Sequence, residues 1–254
     1  MLLGLDHLII AVSDPDEAVL EIEGQLGLRA SGGGRHDEHG TFNRLVWLGD
    51  SYVELMGIFD VAIARQSWWG AHVADLLSRA PAAAAGVALA SDEVAADSAR
   101  LRQQGSPIGE PIDGRRMRAD GREVRWRLAR LAEPVPDIGL AFLIEHDANG
   151  AEWTAAERVA RASETHPLGT GARLSRVSFP VPDVRGTTLG LLRSLGLQFR
   201  PALAGHGARD AAVGAQTLRV TAAAAGGAPE IGIRAGRSRV EAELLGCRWV
   251  VEPL

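Results

Sequence analysis

Leu5-Asp6-His7-Leu8-Ile9-Ile10-Ala11-Val12-Ser13-Asp14-Pro15 decides the fold. An apolar run ends at Asp14, whose carboxylate suits the first free N–H groups of a helix. Pro15 follows at the first helical position, where its missing N–H is no loss. Ala18, Val19 and Ile22 then recur at helical spacing, and the helix is predicted to stop at Leu26-Gly27-Leu28, with Gly27 supplying left-handed backbone. The stretch therefore reads as strand, Asp cap, helix and Gly stop.

The same order returns twice. Residues 174–181 read as a strand, Pro182-Asp183 as the cap, and Leu195-Gly196-Leu197 as the stop, with the Asp-to-Gly spacing of the first copy. A hairpin recurs with it: Leu48-Gly49-Asp50-Ser51-Tyr52-Val53-Glu54-Leu55 aligns with Val213-Gly214-Ala215-Gln216-Thr217-Leu218-Arg219-Val220. A fainter middle copy has a strand over 87–91, Asp92 as cap, a helix over 94–104 and Gly105 as stop, followed by strands over 123–129 and 139–145. Three βαβββ-like modules are predicted, at about 1–60, 85–147 and 172–235, with a strand pair over 238–252 completing the third. The expected organisation is paired modules over 1–148, a charged, helix-prone linker over 149–170, and a third, degenerate module over 171–254. Ala-rich residues 80–85 read as a second linker. The fold class is α+β.

Composition narrows the chemistry. The chain has 254 residues, 46% of them hydrophobic, and a formal net charge of -5. It contains no lysine, so a lysine Schiff base, a lysine nucleophile and the P-loop lysine are all excluded. Its one cysteine, Cys247, allows neither an intramolecular disulfide nor a thiolate metal cluster, which suits a reducing cytoplasm. The N-terminal run lacks a basic flank and carries Asp6 and His7, unlike a signal peptide. No run has transmembrane length, and no basic stripe suggests nucleic acid. Gly32-Gly33-Gly34 lacks dinucleotide-loop spacing and reads as part of a loop.

Four stretches resemble the glyoxalase-like group of the vicinal oxygen chelate superfamily: Leu5-Asp6-His7-Leu8-Ile9; His39-Gly40-Thr41-Phe42-Asn43-Arg44-Leu45; the hairpin through Glu54; and Phe142-Leu143-Ile144-Glu145 followed by His166-Pro167-Leu168-Gly169. The resemblance implies paired modules curled into a cup of mixed sheet with helices outside. It implies a His on a module's first strand and a Glu on its last, holding a divalent metal that chelates substrate oxygens. His7 and Glu54 stand at those positions. Imidazole and carboxylate suit Fe, Mn, Ni, Co or Zn. The other modules depart from this pattern. The third has Arg176 and Arg219 at the two places, and the middle one has Ala85 at the His place. A cup from the first and middle modules would make Glu145 a third ligand or base. A cup from the first and third would present two guanidinium groups to an anion.

The candidates divide by role. His7 and Glu54 are expected to hold metal, although a lone mid-strand His is otherwise a core residue. Glu145 and His39 are the candidate acid–base groups. His39 is preferred to His36 as a cavity-rim residue because His39-Gly40-Thr41 fits the family pattern better. Arg176, Arg219, Trp68 and Asn43 are the candidate substrate contacts. Arg115, Arg116, Arg118 and Arg122 read as a solvated turn. The expected activity is isomerase, lyase or dioxygenase chemistry on a small oxygenated substrate. The alternative is sequestration of a small molecule in the same cup. A small-molecule ligand is the expected partner, with neither nucleic acid nor membrane, and homodimerisation is left open.

Overall fold

The computed structural model describes residues 2–163, 165–203, 207–223 and 227–254. Met1, Glu164 in the expected linker, and residues 204–206 and 224–226 in the expected third module lie outside these ranges.

The first module runs β1 (Leu2–Val12), α1 (Pro15–Leu26), β2 (Gly33–His36), β3 (Thr41–Leu48) and β4 (Ser51–Ile58). Asp14 accepts hydrogen bonds from the backbone N–H groups of Asp16 and Glu17, and Gly27 ends α1 at φ 63°. The middle module comprises β5 (Ala82–Ser91), α4 (Val94–Gln103), β6 (Ile112–Arg118), β7 (Glu123–Arg130) and β8 (Leu140–His146). Between them lie α2 (Val61–Ala64) and α3 (Trp68–Leu77).

These eight strands close into one barrel in the order β1-β4-β3-β2-β6-β7-β8-β5. One seam is long: β1 and β5 pair antiparallel over nearly their whole length. The other is short. β2 and β6 pair only at Gly34↔Arg118 and Arg35↔Met117.

The Ala-rich stretch is therefore the start of β5 and not a linker. Alanine is a poor strand former, but tertiary pairing overrides propensity, and this strand is squeezed between β1 and β8. A Cβ on Gly86 would lie 2.3 Å from the Leu140 carbonyl oxygen. The glycine loop is likewise β2. A Cβ at Gly33 would lie 2.2 Å from Asn43 O, and one at Gly34 would lie 2.1 Å from Met117 O. Glycine there lets β2 lie close to both neighbours and close the barrel.

Strand alternation sorts the side chains. Val53 and Leu55 face the α1 side, in one large core with Ile22 and Leu26. Glu54 therefore faces inward. One end of the barrel is filled by α3, whose Trp69 and Val73 pack against Ile9, Ala11, Met56 and Phe142.

After β8 the chain crosses the barrel and enters α5 (Ala155–Ala162), then the short strands β9 (Thr165–His166) and β10 (Gly169–Thr170). His166 ties this crossing down: its Nδ1 accepts from Arg29 N at 2.9 Å, and its Nε2 lies 3.0 Å from Trp47 O.

The remaining strands are β11 (Arg173–Val181), β12 (Arg200–Pro201), β13 (Arg209–Val213), β14 (Gln216–Ala222), β15 (Glu230–Arg234), β16 (Val240–Leu244) and β17 (Cys247–Glu252), with α6 (Val184–Leu195) after β11. They form a seven-stranded sheet, β12-β13-β14-β11-β15-β17-β16. β15 pairs antiparallel with β11 and parallel with β17, as β5 pairs with β1 and β8. Residues 230–252 thus repeat a fourth module without its helix, since only five residues separate β15 from β16. Gln216 links the two sheets, accepting from Leu5 N at 3.2 Å and donating to Ser51 Oγ at 2.9 Å.

Candidate functional site

His7 on β1 and Glu54 on β4 meet inside the barrel. The strands are parallel, with Ile9 opposite Glu54, so both side chains lie on the inner face two positions apart. His7 Nε2 stands 3.4 Å from Glu54 Oε2, and both groups are buried. No hydrogen bond forms at this Nε2. On the other side of the ring, Nδ1 lies 2.6 Å from Asp6 Oδ1. Glu54 Oε1 accepts from the Asn43 amide. Tyr52 stacks on the His7 ring, with centroids 4.5 Å apart.

Asp6 is shared by two imidazoles, because His146 Nε2 lies 3.1 Å from both of its carboxylate oxygens. Burial alone would raise the Asp6 pKa, but the flanking His146 and His7 hold it well below the usual carboxylate range. Glu54 behaves oppositely. Burial raises its pKa, and His7, Asn43 and Arg116 offset that only in part. His36 is also inside, with Nδ1 3.2 Å from Thr41 Oγ1. Burial and the nearby Arg116 push its pKa well below that of a free imidazole.

His7, His36, Glu54 and His146 line one cavity, with Arg116 and Glu152 among its other walls. Its free volume is about 20 Å³, room for a single water. The crossing after β8 covers it. Trp153 stacks on His146 with centroids 3.8 Å apart, and Glu152 pairs with Arg116 and, at 3.3 Å, with Arg118.

Of the residues singled out from sequence, the structure brings together His7, Glu54 and Asn43. Glu145 lies elsewhere. Alternation along β8 turns Phe142, Ile144 and His146 inward and Glu145 outward, where Oε2 accepts from Val94 N at 2.9 Å and caps α4. The residue at the start of α4 is Glu93, one position after the expected Asp92. His39 packs beside Trp69, behind the cavity wall, and burial lowers its pKa. His36 takes the wall position because β2 directs it inward. Trp68 lies under the Arg130 guanidinium, 4.7 Å from its carbon, while its neighbour Trp69 reaches the cavity. Arg176 and Arg219 belong to the second sheet, paired with Glu230 and Asp210 at 2.7 Å each. They do not face His7.

His36, passed over for His39, and His146 and Arg116 were not chosen as site residues from sequence. The signal for His146 was present: it continues the 142, 144, 146 alternation from an inward Phe142. Arg116 reads as one of a run of surface arginines, and only the β2–β6 seam turns it inside.

His7 and Glu54 supply two donors toward a divalent ion. Sites for such ions usually offer three or more protein donors. Here one imidazole and one carboxylate converge beside a guanidinium, and no group of three His, Cys, Asp or Glu side chains able to hold an ion occurs among the described residues.

The paired-module barrel, with an imidazole from the first strand meeting a carboxylate from the fourth, is the architecture of the vicinal oxygen chelate superfamily. The chain belongs to its glyoxalase-like domain family, whose model matches residues 5–195. No curated protein matches the chain. Among solved structures, a hypothetical protein from Staphylococcus aureus superposes at a TM-score of 0.80 with 15% identity, covering 98% of this chain and 99% of its own. That likeness shows a shared fold. Methylmalonyl-CoA epimerase from Mycobacterium tuberculosis aligns at 22% identity and a TM-score of 0.42, over 57% of this chain and 88% of its own. The Streptomyces coelicolor epimerase bound to 2-nitronate-propionyl-CoA gives 22% and 0.43, over 57% and 97%. Neither bears on activity. Among the described residues no helix is long and apolar enough to cross a membrane.

Proposed function

We propose that this protein is a small-molecule enzyme that moves a proton at a carbon beside an oxygen function, with His7 and Glu54 as the acting pair. One observation supports this above the others. His7 Nε2 is buried, has no hydrogen-bond partner and faces Glu54 at 3.4 Å. Asp6 takes the other ring nitrogen, so a neutral imidazole keeps its proton on Nδ1 and offers the Nε2 lone pair inward. Burial raises the Glu54 pKa, so its carboxyl keeps a proton to higher pH than a free one and can serve as the acid of the pair. Asn43 fixes its orientation.

The test is solvent-isotope exchange. Small α-hydroxy and α-keto acids are incubated with the protein in D2O, and loss of C–H signal is followed by NMR. Wild type is expected to exchange at least one of them, and His7→Ala or Glu54→Gln to lose about 10²-fold or more. Undiminished exchange in either variant, or none in wild type, overturns the assignment.

A second reading keeps a divalent ion at His7 and Glu54. The Asp6–His7 contact supports it, since metal-binding imidazoles commonly donate their other N–H to a carboxylate. Elemental analysis of protein purified without chelator decides it: a stoichiometric metal lost in Glu54→Ala supports this reading, and none in wild type refutes it.

A further inference from the structure

We propose that Arg116 is the carboxylate-binding residue of the barrel interior, and that Glu152 occupies its place until a small carboxylate ligand displaces it. This deepens the reading of the interior as the substrate site and rests on it.

Arg116 is 6% exposed and lines the same cavity as His7 and Glu54. Its NH1 donates to Gly33 O at 2.9 Å, and its NH2 donates to Glu152. The charge of this guanidinium is thus balanced by a residue of the segment that crosses over the barrel. Its field reaches Glu54, Tyr52 and His36. Arg118 holds the other oxygen of the same carboxylate. Two guanidinium groups around one carboxylate form a ready-made anion site, and arginine matches a carboxylate fork with two parallel N–H groups.

The group now filling that site is poorly settled there. Glu152 sits at φ 75°, a left-handed conformation that side chains of its kind rarely adopt. It is buried, and its Oε1 makes no hydrogen bond beyond the 3.3 Å ion pair with Arg118. Both features suit a stand-in that can leave. Its departure, with the adjoining Trp153, would also supply room, since the cavity of about 20 Å³ holds a water but no organic acid. The incoming carboxylate would restore the charge balance that Glu152 takes away, and its remaining atoms would lie toward His7 and Glu54.

The experiment is isothermal titration calorimetry of the full chain with pyruvate, alongside neutral methyl pyruvate. Glu152→Ala and the isosteric Glu152→Gln are expected to bind pyruvate at least tenfold more tightly than wild type, and methyl pyruvate no better. Adding Arg116→Met to Glu152→Ala is expected to abolish the gain. The proposal is overturned by equal binding in wild type and both Glu152 variants, by no binding in any of them, by a gain that survives Arg116→Met, or by an equal gain for methyl pyruvate. Pyruvate uptake by Glu152→Ala without isotope exchange in wild type would refute the catalysis and keep the carboxylate site. Exchange in wild type with indifferent Glu152 variants would do the reverse.

Discussion

His7 and Glu54 face each other across 3.4 Å at the centre of a closed barrel, one held by Asp6 and the other by Asn43. Each orienting residue occupies the outer side of its partner, so the two inner atoms are left for a third group. The chemistry proposed for this chain, and most of its expected pH behaviour, follows from that arrangement.

Glu54 should make the fold less stable as pH rises. Its pKa in the folded protein is raised by burial above that of an unfolded chain. The folded state therefore retains a proton that the unfolded state has lost, and stability falls as pH climbs from the ordinary carboxylate value through the folded one. Urea denaturation of wild type and Glu54→Gln across this range should show the loss in wild type alone, with the variant the more stable at the alkaline end.

Asp6 should act in the opposite sense. Its folded pKa lies well below the free value of 3.8, so its contribution is present above that value and is lost as pH falls below it. Asp6→Asn leaves two buried imidazoles without their anion. Leaving a buried imidazole N–H without its carboxylate acceptor costs about 1–3 kcal/mol. Chemical denaturation at pH 7 should show a loss of that order.

Gly34→Ala should open the barrel's short seam. The new Cβ would lie 2.1 Å from Met117 O, a backbone atom that cannot swing aside. Overpacking of this kind costs about 1–3 kcal/mol. Hydrogen exchange should rise selectively at the Arg35 and Met117 amides, while the long β1–β5 seam keeps its protection.

Cys247 should be inert in the native protein. It is buried in β17 of the second sheet, and burial pushes its pKa up to about 12, so almost no thiolate exists at neutral pH. A thiol reagent should label it only after denaturation. Rapid labelling of the folded chain would contradict this packing.

The repeated strand–cap–helix units were legible because each step has a local cause: Asp14 and Asp183 cap, Gly27 and Gly196 stop, and both hairpins turn over two residues. The His7–Glu54 meeting followed from the resemblance together with alternation. What stayed hidden depends on contacts distant in sequence. Ala82–Ala85 become strand only because β1 and β8 flank them. The phase of alternation in β8, which sends His146 inward and Glu145 out, is fixed by the barrel. Arg116 is indistinguishable in sequence from Arg115 and Arg118, yet its partner Glu152 comes from a crossing whose path no local pattern specifies.

The ring proton of His7 tests the central claim most directly. Long-range ¹⁵N–¹H correlation of histidine-labelled protein, assigned with His7→Gln, reports which nitrogen of the neutral ring carries it. The Asp6 contact predicts Nδ1–H, with Nε2 showing the shift of a bare lone pair. A proton on Nε2 would mean that this nitrogen cannot serve as the base facing Glu54.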